Sequence, residues 1–243
     1  MPQISETPLQ YEDGEERYIG LLLSAADQAA TSAVVLLPDW RGQSDLARDH
    51  AQYLVQQGCV VVIADLYGDG FSPSDANQVG PMVKRLLDHR SKGIKALHAC
   101  IEAMRLRTGG ELPLFCLGYS AGGMIALDYG RSSADVAGII VCSALLKTAL
   151  PDMPTRITAP VLLLQGTQDV VSPMDVVAAL IREMDEAGND FRFELYGQTH
   201  HAFDNPDAGT DPGARLVYSP RAANYARLAI AEFIQERRGG HSK

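Results

Sequence analysis

Residues 112–131 read LPLFCLGYSAGGMIALDYGR. The apolar run at 112–117 has the length and composition of a strand buried on both faces of a sheet. Gly118-Tyr119-Ser120-Ala121-Gly122-Gly123 follows it, and 121–131 carries a helical pattern. Strand, tight turn, helix is the setting in which G-x-S-x-G has chemical meaning. The turn lifts the serine hydroxyl above the sheet, and the glycines remove side chains that would collide where strand and helix cross. The first N–H groups of the helix point at the same place and suit a developing oxyanion. Ser120 is therefore expected to be a nucleophile.

The same alternation extends outward from this stretch. Strands are expected at 17–24, 32–38, 59–65, 137–144, 160–166 and 190–196. Helices are expected at 44–57, at 79–107 with a break near Ser91, from Ser172 to Glu186, and at 220–237. In the helix from Ser172 to Glu186, Ser172 has the chemistry of an N-cap, Pro173 suits the first helical position, and Asp175 completes a capping-box-like pattern. Segment 66–76 is loop, and 197–217 shows no clear element. Alternation of this kind predicts an α/β protein, a mostly parallel central sheet flanked by helices on both faces. No linker or repeat interrupts it, so 1–243 is expected to form one domain, with 1–15 and 239–243 as loose termini.

A serine hydroxyl becomes nucleophilic when a base takes its proton, and the base needs an orienting carboxylate. On this scaffold the chain order is Ser, acid, His, and the acid sits at a carboxyl strand end. Asp169, in Gly166-Thr167-Gln168-Asp169, fits that place; Asp175 is explained by the helix start. The histidines after it are His200, His201 and His241, the last in the tail. Spacing alone leaves His200 and His201 as equals. His50, His89 and His98 fall on helices before the nucleophile and read as ordinary surface or half-buried residues. One oxyanion donor is the N–H of Ala121; the other comes from Trp40 or Arg41 in the loop after an earlier strand.

Composition sets outer bounds. The charge is 21 − 30 = −9 and apolar residues make up 46%. That balance, without a dense basic run, disfavours nucleic acid and anionic membranes as partners. No apolar run reaches the ~20 residues of a membrane span, and no basic-then-apolar leader opens the chain. The four cysteines lack zinc spacing; three lie in strand-like runs, so buried thiols in a reducing cytoplasm are expected. No metal or organic cofactor is called for.

At these residues the chain resembles the dienelactone hydrolase family of α/β-hydrolases. The likeness rests on Pro38-Asp39-Trp40-Arg41-Gly42, Ala64-Asp65-Leu66-Tyr67-Gly68, the Ser120 elbow, Gly166-Thr167-Gln168-Asp169 and His201-Ala202-Phe203, and spans roughly 17–236. It implies the α/β-hydrolase fold, His201 as the base, and the N–H of Trp40 beside that of Ala121 as oxyanion donors. It also implies a pocket near Asp39, Trp40, Arg41, Tyr67, Tyr119, Leu145 and Phe203. Two departures stand out. Family members of the best-known type carry a Cys nucleophile where this chain has Ser120, with a Glu at the position of Asp39. They hold the substrate carboxylate with arginines, one of them at the position of Asn205; Arg41, Lys84, Arg85 and Lys147 are the local cations. The expected activity is serine-dependent hydrolysis of a small-molecule ester or lactone through an acyl-enzyme. Acyl transfer or perhydrolysis by the same triad is the alternative, then a catalytically silent binding member. A homodimer is compatible with the sequence.

Overall fold

The computed structural model describes residues 2–73, 75–132, 135–150 and 152–238. Its strands are β1 (Ile4–Glu12), β2 (Arg17–Ala25), β3 (Ser32–Leu37), β4 (Cys59–Ile63), β5 (Leu114–Tyr119), β6 (Gly138–Cys142), β7 (Val161–Gly166) and β8 (Phe191–Tyr196). Its helices are α1 (Asp45–Gln56), α2 (Val79–Asp88), α3 (Arg90–Thr108), α4 (Ala121–Arg131), α5 (Met174–Glu186) and α6 (Pro220–Glu236). The strands form one sheet in the order β1-β2-β4-β3-β5-β6-β7-β8. From β4 to β8 every pairing is parallel, as the solid apolar strands predict.

Side chains alternate across the sheet and build two cores. Val35, Leu37, Val62, Cys116, Val141 and Leu163 pack against Leu97, Ile101, Met104, Met124 and Leu180 of α3, α4 and α5. On the other face Val34, Leu36, Ile63, Leu117, Ile140 and Leu164 pack against Leu54, Ile230 and Phe233 of α1 and α6. None of the helices described is long and apolar enough to cross a membrane.

Three expectations are corrected. Residues 4–12 are not a loose terminus; they form β1, antiparallel to β2 over its whole length. Only Leu9 and Tyr11 are fully buried, so the alternation is too sparse to read, and Pro8 is tolerated because the strand is an edge. Ser172 is not an N-cap: α5 starts without a side-chain cap. The Ser172 hydroxyl instead donates to Ala144 O at 2.8 Å and accepts from Leu146 N at 2.8 Å. His50 is buried and hydrogen-bonded rather than superficial. Residues 239–243, including His241, lie outside the described residues.

The topological switch lies between β4-β3 and β5. Leu37 at the end of β3 is level with Gly118 near the end of β5. The loops after these strands, carrying Trp40 and Ser120, therefore leave the sheet side by side. The segment after β6 is braced from below. Asp128, fully buried, takes hydrogen bonds from Arg90 at 2.6 and 2.5 Å and from Arg131 at 3.0 Å. Those arginines donate to Thr148 O and Lys147 O, and Glu183, bonded to Arg131 at 2.6 Å, accepts from Ala149 N at 2.8 Å. Removing the carboxylate leaves two buried guanidinium groups under-compensated. Asp128→Ala is expected to lower unfolding stability by about 3–5 kcal/mol in urea titration.

Candidate active site

Ser120 sits between β5 and α4 with φ 49° and ψ −117°, in the positive-φ region that side chains avoid. Its neighbours impose this. A Cβ at Gly118 would lie 2.5 Å from Gly122 O, and one at Gly122 would strike the carbonyls of Leu37 and Pro38. The backbone of Ser120 is tied on both sides, its N–H to Ser143 O at 3.1 Å and its carbonyl to Leu145 N at 2.9 Å.

The Ser120 hydroxyl is 3.0 Å from His201 Nε2, and His201 Nδ1 is 2.7 Å from Asp169 Oδ2. His201 and Asp169 are both buried. Asp169 Oδ1 accepts from the N–H groups of Val171 at 2.7 Å and Ser172 at 3.0 Å, while Oδ2 also accepts from Gln165 Nε2 at 2.5 Å. A carboxylate that accepts so many hydrogen bonds is fixed in direction. It then selects the His201 tautomer with the proton on Nδ1, leaving Nε2 as acceptor for the serine proton.

The histidine loop is itself pinned. Gly166 lets this loop cross the end of β7, because a Cβ there would strike Thr199 O. Ala202 N donates to Ser143 Oγ at 2.7 Å. Residues 197–217, which showed no element in sequence, fold back on the site: Val217 N donates to His201 O at 3.1 Å. His200, half-buried, does not reach Ser120.

Among the described residues, the N–H groups of Trp40 and Ala121 have no acceptor in the protein. Both residues line the same cavity as Ser120, Trp40 from the loop after β3 and Ala121 from the start of α4. Trp40 is positioned from behind. Asp65 accepts from Ile19, Tyr67, Gly68 and Gly70 N–H groups at 2.7–3.0 Å, which fixes the loop after β4. From that loop Tyr67 donates its hydroxyl to Trp40 O at 2.8 Å.

A cavity of about 660 Å³ opens on Ser120 and His201. Of the expected pocket residues, Asp39, Trp40, Tyr119 and Leu145 line it. Arg41, Tyr67 and Phe203 do not. Arg41 is turned onto Asp39, with Nη2 2.8 Å from Oδ2. Burial works against its charge, but the hydrogen bonds and charge of Asp39 hold its pKa above the usual arginine value. Tyr67 is buried behind Trp40, and Phe203 packs in the core against Tyr196. Of the other local cations, Lys84 reaches the cavity wall, Arg85 faces Glu16 at 3.8 Å, and Lys147 is outside. Asp204 and 214–216, in the 197–217 stretch that the sequence set beside the base, also line the cavity; Val83 and Leu87 of α2 and Val171 were missed. The helical spacing of α2 was visible, but nothing in it says which face meets a site.

The sequence model of the dienelactone hydrolase family matches residues 19–237. Among solved structures, a protein named m3DLH is 27% identical, with TM-score 0.89, covering 96% of this chain and 98% of its own. A dienelactone hydrolase-like promiscuous phosphotriesterase, P91, from metagenomic libraries is 22% identical, with TM-score 0.88 and the same coverage. A cold-adapted esterase from an Arctic intertidal metagenomic library is 14% identical, with TM-score 0.71, covering 96% of this chain and 94% of its own. No curated protein matches the chain.

The four thiols stand apart from this chemistry. All are buried, and burial pushes Cys100 up to about 12 and raises Cys59, Cys116 and Cys142 as well. Thiolate is the reactive form. Native protein is therefore expected to show no fast reaction with Ellman's reagent at pH 8 and to keep its activity in iodoacetamide. All four thiols should react in denaturant.

Proposed function

Because the chain belongs to the dienelactone hydrolase family, we propose that it is a serine hydrolase of carboxylic esters or lactones. The observation that carries this is the unbroken chain from Ser120 Oγ through His201, 3.0 Å away, to Asp169 Oδ2, 2.7 Å further on. His201 Nε2 takes the Ser120 proton as Oγ attacks the ester carbonyl. The N–H groups of Trp40 and Ala121 bind the carbonyl oxygen as it becomes an oxyanion. Asp169 stabilises the imidazolium that forms. The intermediate collapses, His201 protonates the leaving alkoxide, and an acyl group remains on Ser120. Water, deprotonated by His201, then repeats the attack and frees the acid. In a lactone the leaving alcohol stays tethered to the acyl group.

The geometry also bears on the carboxylated dienelactones implied by the family resemblance. Asn205 accepts from Asp207 N at 3.0 Å in capping a short turn, and Arg41 is occupied by Asp39. Neither offers a free guanidinium to a substrate carboxylate, which favours ordinary esters and lactones.

Ser120→Ala removes the nucleophile and leaves the fold intact. It is expected to lower kcat for p-nitrophenyl esters by roughly 10⁴–10⁶, in line with triad deletions elsewhere, and to abolish labelling by a fluorophosphonate. Ester turnover near the wild-type rate in that variant would rule the reading out.

A further inference from the structure

Beside the candidate triad lies a second buried His–Asp contact that the chemistry above does not use. His50 of α1 and Asp204 meet at 3.1 Å, Nε2 to Oδ2. The His50 ring lies flat on Tyr119, the residue before the nucleophile, with centroids 4.2 Å apart and planes within 3°. Asp204 follows His201 by three residues and lines the cavity.

The two oxygens of Asp204 have different surroundings. Oδ2 is bonded to His50. Oδ1 has no partner among the described residues, yet it is not a sealed-off orphan atom. Asp204 is among the residues that line the cavity. His50 Nδ1, by contrast, is buried without a partner. A second ring proton would be a buried donor with no acceptor, which is costly. Nε2 is the ring nitrogen that meets Asp204, and the contact orients the carboxylate.

No lysine or arginine among the described residues is in ion-pair contact with Asp204; Arg41 feels its charge but gives its hydrogen bonds to Asp39. Asp39 is matched by Arg41 through a hydrogen bond of 2.8 Å. Lys84 is 72% exposed and already 2.5 Å from Asp88. Arg215 is also exposed. Both cations belong to the water-screened rim, whereas Asp204 is 8% exposed. Charges act more strongly where water is excluded. The remaining interior wall near the serine, with Val83, Leu87, Leu145 and Val171, is apolar.

We propose that Asp204, held by His50, is a specificity-determining residue that rejects substrates bearing a carboxylate and selects uncharged esters and lactones. The kinetic part of this rests on the ester-hydrolase reading above. The binding part does not.

A matched pair of ligands tests it. In the kinetic arm, p-nitrophenyl butyrate is compared with the mono-p-nitrophenyl ester of succinate. In the binding arm, butyramide is compared with succinamate, read by the fluorescence of Trp40, the one tryptophan of the chain. Wild type is expected to favour the neutral member by at least about tenfold in both arms, the scale of a like-charge penalty at a desolvated site. Asp204→Asn keeps the side-chain shape and can still accept from His50. It is expected to narrow the neutral-to-anionic ratio by about tenfold, with the change read in the anionic member. Two results would overturn the proposal: wild type handling both members equally, which needs no variant at all, or a ratio unchanged in Asp204→Asn. A binding ratio that shifts as expected without turnover of either ester would support the selector and reject the ester-hydrolase reading.

Discussion

The crossing of α4 over the ends of β3 and β5 is the contact on which the rest of the site depends. Backbone meets backbone there with no room for a Cβ at Gly118 or Gly122. That closeness forces Ser120 to positive φ, a strain of about 1–3 kcal/mol. The surrounding sheet holds it, through the hydrogen bonds from Ser120 N to Ser143 O and from Leu145 N to Ser120 O. A looser crossing would relax the serine and move its hydroxyl away from His201.

The remaining parts are placed by carboxylates that accept backbone hydrogen bonds. Asp65 gathers four N–H groups and, through Tyr67, steadies the Trp40 loop. Asp169 gathers two and orients His201. Asp128, by contrast, works through arginines, which reach the carbonyls of the segment after β6. In each case a loop that cannot satisfy its own polar groups is made rigid by a buried or half-buried acid. A net charge of −9 says nothing of this; these acids act locally.

Legibility in the sequence followed the strength of local periodicity. The parallel strands were readable because burial on both faces makes them solid apolar runs, as in β3, β4 and β7. β1 was not, because an edge strand buries only two residues, Leu9 and Tyr11. Ser172 shows the limit of a local motif. It stands where a cap would, but its hydroxyl is drawn to Ala144 and Leu146 on a neighbouring segment. Arg41, Tyr67 and Phe203 do not line the cavity: Arg41 turns onto Asp39, Tyr67 onto the carbonyl of Trp40, and Phe203 packs on Tyr196 in the core.

By itself the sequence determined the order of strands and helices from β2 onward, the serine between two glycines, and the chain order of serine, candidate acid and candidate base. These are local properties: hydrophobic period, turn chemistry, and the few residue types that tolerate a given φ. Spacing left His200 and His201 as equals and the family likeness implied His201, the one found at the Ser120 hydroxyl; only the tertiary structure set Arg41 against Asp39 and brought His50 from α1 onto Asp204, 154 positions away. Those outcomes depend on which side chains share a space after the sheet is assembled, and no spacing along the chain encodes that.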